Sequence, residues 1–223
     1  MKKIKLMLLA ILMCVHSIVE IKASIEIIKP NEAQQRFLNS PQQKIYVDVK
    51  AQVLHFTDSN NKVLQSYQIS TGKNGTGEKP GSYKTPRGMF SIRNKIGQNN
   101  HPLLKYKAQT PVGIYQPSQA RYDNILSRIL TLDGLQAHNK NTLSRYVYIH
   151  GTSAIKKLGT IPCSLGCIRM NPYEITKLFD NVQAGTQVYI YDKENPLPWE
   201  NTSILIKSID HLYDRRSTLQ LST

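Results

Sequence analysis

Two side chains in this 223-residue sequence have the types and the setting of a nucleophile and its base. Cys167 follows Gly166 in a Ser-x-Gly-Cys turn, just before a predicted helix N-terminus. A thiol beside a tight turn and helical N–H groups is stabilised as the thiolate, and turn N–H groups near Gly166 can serve as an oxyanion hole. His150 ends a compact apolar run and is followed by glycine, so we expect its imidazole to emerge into a cleft as the base for Cys167.

The same residues allow other interpretations. Cys163, Cys167 and His150 could bind zinc, although two cysteines and one histidine leave a tetrahedral ligand set incomplete. Cys163 and Cys167 could form a disulfide in an oxidising compartment, which would switch the nucleophile off. A buried cysteine and a hydrogen-bonded histidine are also common without any catalytic role. We expect the catalytic pair, with no metal.

Strands must position this pair, because the apolar patterns of the chain are mostly those of strands. Strands are predicted at 45–49, 53–56, 63–69, 90–92, 146–149 and 186–191, with a hairpin turn at 58–61. Helices are predicted around 32–38, at 125–132 and at 172–179, with Asn171 as the N-cap and Pro172 as the first helical residue of the last. We therefore expect a mainly β fold with few helices, a sandwich with mixed sheets.

The segment 71–88 is rich in Gly, Pro, Lys and Thr and predicts a long loop. It contains no GxGxxG, and Lys73 and Lys79 do not stand in a phosphate-binding P-loop pattern. We interpret it as a loop on the substrate side or as a plain hairpin connection.

The N-terminus has the pattern of an export signal. Lys2, Lys3 and Lys5 precede a short apolar run at 6–15, and Ala23 is an acceptable residue before a cleavage point. An uncleaved amphipathic anchor is the alternative. The resulting organisation is a signal peptide at 1–23, a leader segment at 24–43, a catalytic domain at 44–192 and a C-terminal tail at 193–223. We expect no stable membrane span after cleavage, and a location in the periplasm or cell wall.

The charge of the chain attracts anionic partners. Lys and Arg number 29 against 15 Asp and Glu, and removal of residues 1–23 lowers the formal net charge from +14 to +11. An exported chain without a nucleic-acid-binding motif is not expected to bind nucleic acid. A wall polymer that carries carboxylates is a sufficient partner for this charge.

Several ordered motifs resemble the L,D-transpeptidase catalytic domain family (YkuD-like). The resemblance rests on His150-Gly151-Thr152 and on the run from Ser164 to Met170, which reads Ser-Leu-Gly-Cys-Ile-Arg-Met. Upstream, the Thr-Pro-x-Gly-x-Phe element at 85–90 agrees, and downstream the helix and strand around 178–188 agree. The resemblance covers roughly residues 44–192.

This resemblance implies a β-sandwich-like domain that acts on peptidoglycan stem peptides without a cofactor, with Cys167 as nucleophile and His150 as base. Gly151 stands where some members carry Ser, so a backbone carbonyl would orient the imidazole. Arg169 would meet a substrate carboxylate, and Ser164 would line the same loop. Leu165 replaces a histidine found in many members.

The implied reaction is acyl transfer through a Cys167 thioester, which would give 3→3 crosslinks between stem peptides. With the same site, water as acceptor would make the protein an L,D-carboxypeptidase, and a protein lysine would make it an anchoring enzyme. A non-catalytic, cationic peptidoglycan-binding protein is the alternative of a different class, and Leu165 is the residue that favours it. The oligomeric state is left open.

Overall fold

The computed structural model describes residues 32–116 and 124–192. The predicted signal peptide, the first part of the leader segment (24–31) and the tail at 193–223 lie outside these residues. The predicted catalytic domain lies within one compact unit, Gln35–Pro196. Within the described ranges, no helix is long and apolar enough to cross a membrane.

The described chain contains ten strands and two α-helices. The strands are β1 (Lys44–Asp48), β2 (Val53–Thr57), β3 (Val63–Ser70), β4 (Gly88–Ile96), β5 (Leu104–Lys107), β6 (Thr110–Ile114), β7 (Ile125–Gly134), β8 (Tyr148–Thr152), β9 (Ile168–Met170) and β10 (Gln187–Tyr191). The helices are α1 (Glu32–Leu38) and α2 (Glu174–Asn181), and short 3-10 helices occur at Leu143–Arg145 and Ile155–Lys157. The predicted helix at 32–38 and the hairpin of β2 and β3 are confirmed.

The strands form a mixed sheet that closes on itself. Their order is β4-β10-β1-β2-β3-β9-β8-β7-β5-β6, and β4 also pairs with β7. β1 runs parallel to β10, and β8 runs parallel to β9, whereas the hairpin pairs are antiparallel. Because β4 pairs with both β10 and β7, eight strands surround one core. The expected mainly β fold with mixed pairing is confirmed.

The enclosed core receives side chains from all eight strands of this closed arrangement and from α2. In α2, Ile175, Leu178 and Phe179 are fully buried, which is the i, i+3, i+4 spacing of one helix face. Burial of a side chain such as Phe179 stabilises the fold by roughly 1.5–3 kcal/mol. A smaller apolar cluster of Tyr106, Ile129 and Tyr148 is separate from this core, and Cys167 packs against it.

The helix predicted at 125–132 is wrong, because this segment is strand β7. Apolar residues at 125, 126, 129, 130 and 132 imitate the spacing of a helix face. The cause is a bulge: the pairing of β7 with β8 shifts register between Leu126 and Ile129, and Ser127 there has φ 69°. The bulge interrupts the alternation of period two, and most of the strand is buried.

Two predicted boundaries also differ from the structure. The helix predicted from Pro172 begins at Glu174, although Asn171 Oδ1 does accept a hydrogen bond from Tyr173 N at 2.9 Å. His150 does not end its strand, because pairing of β8 with β7 continues to Thr152. The strand can continue there because Gly151 has no side chain to meet the neighbouring backbone of β7.

Candidate active site

Cys167 lies directly before β9 and is partly exposed. The pairing of Ile149 with Ile168 places Cys167 beside Tyr148 of the parallel strand β8. Tyr148 N donates to Cys167 Sγ at 3.4 Å, and the thiol contacts Tyr146 O at 3.6 Å. The sulfur is therefore held against the start of β8 by two backbone groups.

His150 follows Tyr148 by two residues on β8, so both side chains lie on the face of the sheet that carries Cys167. The imidazole is 2% exposed, and its Nδ1 lies 2.8 Å from Gly151 O. Because a carbonyl oxygen only accepts, Nδ1 carries the proton of the neutral ring and Nε2 is the basic nitrogen. The structure brings the predicted nucleophile and base to adjacent strands and one face.

Gly151 is required by close packing. A Cβ at this position would lie 2.7 Å from Leu126 O and 3.1 Å from the Cα of Pro172. The backbone of β7 is thus in close contact with Gly151, whose carbonyl orients the imidazole.

Ser164 shapes the nucleophile turn, which we define as residues 164–167. Its side chain is fully buried, Ser164 Oγ donates to Cys167 O at 2.6 Å, and Gly166 N donates to Ser164 Oγ at 3.0 Å. Its contact with substrate stays a prediction. Since the Gly166 N–H is engaged by this hydroxyl, an oxyanion role for that group requires the hydrogen bond to open.

Thr85 links the nucleophile turn to the loop between β3 and β4, which we call the 71–87 loop. The Thr85 side chain is fully buried, its hydroxyl donates to Gly166 O at 2.9 Å, and it accepts from Gly72 N at 2.8 Å. Gly166 has φ 114°, a conformation that favours glycine. One hydroxyl therefore satisfies two backbone groups on opposite sides of the contact. The 71–87 loop therefore lies against the nucleophile turn, and its contact with substrate stays a prediction.

Arg169 is buried and pairs with His150 across the parallel strands β9 and β8. It is 4% exposed, and its Nη1 lies 3.0 Å from Cys163 Sγ, which also lies 3.1 Å from Ser70 Oγ. Cys163 and Cys167 are not joined by a disulfide in the structure. The predicted contact of Arg169 with a substrate carboxylate stays a prediction, because its guanidinium is engaged by Cys163 and little of it reaches the surface.

Two residues near the thiol, Arg145 and Tyr148, do not belong to any motif that the sequence analysis identified. Arg145 Nη2 donates to Lys84 O at 2.7 Å; burial lowers the pKa of Arg145, while Glu78 and Cys167 raise it. Tyr148 OH accepts from Gln109 Nε2 at 3.0 Å. Burial raises the pKa of Tyr148, the hydrogen bond from Gln109 lowers it, and the nearby Cys167 raises it further. Only the fold brings these groups to the nucleophile.

Metal binding by this site has little geometric support. Within residues 32–116 and 124–192, no group of three or more His, Cys, Asp or Glu side chains could hold a metal ion. Of the three candidate zinc ligands, Cys163 Sγ contacts Arg169 Nη1, and His150 Nδ1 lies on Gly151 O.

Comparison with known proteins identifies the matching family. The family model of the L,D-transpeptidase catalytic domain, YkuD, matches residues 42–190. YqjB of Bacillus subtilis (strain 168), whose name assigns it provisionally as an L,D-transpeptidase, is 31% identical over 134 residues. That match covers 60% of this chain and 62% of YqjB.

Two solved L,D-transpeptidase structures are similar at lower identity. One, from Mycobacterium smegmatis, is 19% identical with a TM-score of 0.44 and is matched over 67% of this chain and 58% of its own. Another, from Xylanimonas cellulosilytica DSM 15894, is 20% identical with a TM-score of 0.46, over 68% of this chain and 61% of its own. The chain thus spans less than two thirds of the relatives that it matches.

Proposed function

The chain belongs to the L,D-transpeptidase catalytic domain family, and from this premise we propose that it is an exported cysteine transpeptidase of peptidoglycan stem peptides. The observation that carries the proposal is the pair on adjacent strands. The Cys167 thiol is partly exposed, and the His150 imidazole is buried on the same face with Nδ1 engaged by Gly151 O.

The acylation step uses both residues of the pair. Nε2 of His150 takes the thiol proton, and Cys167 Sγ attacks the carbonyl carbon at the L-centre of the third stem residue. The C–S bond forms, and the bond to the terminal D-Ala nitrogen breaks. The imidazolium returns the proton to that nitrogen, so D-Ala leaves as a neutral amine.

The second step releases the enzyme. The amine of a second stem peptide attacks the thioester carbonyl, the C–S bond breaks, and a 3→3 crosslink forms while the amine proton passes through His150 to the thiolate. The chemistry as written requires no metal and no cofactor. The alternating roles of His150 as base and acid require its neutral tautomer to keep Nε2 basic, which the Gly151 carbonyl favours.

The acceptor is the open part of this proposal. Leu165 lies in the nucleophile turn with 59% of its surface exposed, so the residue that replaces a polar histidine in many relatives faces solvent. An exposed apolar side chain beside the thiol is compatible with a stem amine, with water and with a protein lysine as acceptor.

The test is product analysis with purified protein and a disaccharide-tetrapeptide. We expect dimers joined by 3→3 crosslinks, together with free D-Ala, and no product from Cys167→Ala. Tripeptides without dimers would show that water is the acceptor and that the activity is hydrolysis. Transfer of the acyl group to an added lysine peptide would favour an anchoring enzyme. Absence of all three products would contradict the proposal, and retention of every cellular role by Cys167→Ala would favour a non-catalytic wall-binding protein.

Export is proposed from residues 1–23 alone. The basic start, the short apolar run and Ala23 support cleavage after Ala23. N-terminal sequencing of protein recovered from the periplasmic or wall fraction should begin at Ser24. Intact Met1 on protein recovered only from the membrane fraction would favour the uncleaved anchor.

A further inference from the structure

Arg145 holds two points of the 71–87 loop at once. It lies at the end of the 3-10 helix that precedes β8. Its Nη1 donates to Gly77 O at 3.2 Å, and its Nη2 donates to Lys84 O at 2.7 Å. Only a planar guanidinium reaches two carbonyls in this way, since a lysine offers one ammonium on a flexible stem.

The loop segment that Arg145 holds contacts the nucleophile turn directly. Lys84 O would lie 3.0 Å from a Cβ on Gly166, so the two backbones are in close contact there. The next residue, Thr85, donates to Gly166 O at 2.9 Å. Arg145 is therefore connected to the residue before Cys167 through one backbone segment.

The chain directly after Arg145 contacts the thiol. The next residue, Tyr146, has its carbonyl 3.6 Å from Cys167 Sγ and adopts φ 57°, an uncommon conformation for a tyrosine. The interaction with Cys167 acts on the pKa of Arg145 in the direction expected for opposite charges. By the same interaction, the guanidinium favours the thiolate over the thiol.

Other charged or titratable groups lie on the elements around Cys167. Tyr148 and His150 lie on β8, and Arg169 lies on β9 with Cys163 preceding the nucleophile turn. Tyr146 and Lys84 lie on the chain segments that flank the thiol. The carboxylate oxygen Oε1 of Glu78 lies 3.5 Å from Arg87 Nε. Among these groups, Arg145 is the cation that also anchors the 71–87 loop.

We propose that Arg145 is a positioning residue for acyl transfer, which fixes the 71–87 loop on the nucleophile turn and stabilises the Cys167 thiolate by its charge. The catalytic meaning of this proposal rests on the proposed function. The effect on the thiolate does not, because it concerns the thiol in the enzyme without substrate.

The test follows alkylation of Cys167 by iodoacetamide as a function of pH. The tryptic peptide 158–169 carries both Cys163 and Cys167, and fragmentation in the mass spectrometer separates the two sites. For Arg145→Gln we expect the midpoint of the Cys167 profile to rise by about one pH unit, the size that a nearby opposite charge produces. At neutral pH this corresponds to a loss of alkylation rate of about tenfold or less.

Two matched variants separate charge from geometry. Arg145→Lys keeps the charge without the two-carbonyl fork, so its midpoint should lie closer to wild type than that of Arg145→Gln. Lys140→Gln removes one exposed cation from the same β7–β8 connection and should leave the midpoint unchanged. Equal midpoints for wild type and Arg145→Gln, or equal shifts in the Lys and Gln variants, would overturn the charge role.

A measurement on the wild-type protein keeps the proposal testable if Arg145→Gln does not fold. Raising the ionic strength from low to molar salt screens a partly exposed charge, so the wild-type midpoint should rise by a few tenths of a pH unit. A midpoint that is independent of salt would count against the proposal. Since iodoacetamide needs no acyl donor, a protein that makes no crosslinks and still shows the shift would refute the proposed function alone.

Discussion

The proposed nucleophile, Cys167, and the proposed base, His150, are held in different ways. Cys167 lies in a turn that depends on side chains, with Ser164 Oγ on Cys167 O and Thr85 Oγ1 on Gly166 O. His150 lies inside β8, paired on both sides by β7 and β9, and its imidazole is oriented by the next carbonyl of its own strand. The nucleophile turn is thus held by the hydroxyls of two side chains and is partly exposed, whereas His150 is held by strand pairing and is buried.

The difference teaches which substitutions act locally. Loss of the hydroxyl of Ser164 or Thr85 removes two hydrogen bonds at the nucleophile turn but leaves the pairing of the strands intact, so activity should fall more than stability. A change in the backbone around His150 disturbs the packing between β7 and β8, so stability and activity should fall together. Replacement of the imidazole by another polar side chain leaves that packing in place, so activity alone should fall.

The largest effect is expected when the base is removed without disturbing the strand. His150→Gln keeps a polar side chain of similar size but has no basic nitrogen, so the rate of acyl-enzyme formation should fall by about 10²–10⁴-fold. The same replacement at the exposed His101 is the control and should have no effect. Stopped-flow measurement of acylation checks this, and an unchanged rate in His150→Gln would remove His150 from the mechanism.

A side chain at Gly151 should break the strand that carries the base. In Gly151→Ala the new Cβ would meet Leu126 O at 2.7 Å, so β7 must move, at a cost of about 1–3 kcal/mol in the free energy of unfolding. Because Gly151 O orients His150, acylation should slow as well. Denaturant unfolding and acylation rates of the same preparation provide the measurement.

Gly185→Ala is the matched control for this prediction. Gly185 has φ 89° and open space around its Cα, so an alanine there has a cost from backbone conformation alone. It should lower stability and leave acylation unchanged. Equal effects of the two variants on acylation would show that the close contact at Gly151 is not what orients the base.

Loss of the Thr85 hydroxyl should loosen the nucleophile turn. Thr85→Val leaves the Gly166 carbonyl and the Gly72 N–H buried without this partner, at a cost of about 1–3 kcal/mol. Thr85→Ser retains the hydroxyl and should be closer to wild type in both unfolding and acylation. If the valine and serine variants acylate at the same rate, the hydroxyl does not position the turn.

The smallest effect under reducing conditions is expected at Cys163. Cys163→Ala removes a thiol that contacts Arg169 and Ser70 but not the reacting atoms, so activity should change by less than about threefold. If Cys163 forms a disulfide with Cys167, oxidation should inactivate wild type reversibly and spare Cys163→Ala. Equal responses of wild type and variant to oxidant and reductant would exclude the switch.

The sequence points to the proposed reacting residues more readily than to the residues that support them. Cys167, His150 and Gly151 stand in short motifs, because their roles depend on residue type and local spacing. Arg145 has no such motif, since its two acceptors lie more than sixty residues away and only the fold brings them together.

The fold shows the same limit at β7. Its residues are apolar enough to predict a buried element, but the bulge at Ser127 shifts the alternation and imitates a helical period. The bulge is selected by pairing with β4 and β8, which is long-range information that a local pattern does not contain. By contrast, the predicted positions of β1, β2, β3 and β10 agree with the structure to within one or two residues.

The most direct test of the central claim is the intact mass of the purified protein after incubation with a carbapenem, followed by peptide mapping. We expect one carbapenem to add to the protein and to map to Cys167, with no addition to Cys167→Ala and slow addition to His150→Gln. Correctly folded protein that stays unmodified, or an adduct that maps to another residue, would contradict the assignment of Cys167 as the nucleophile.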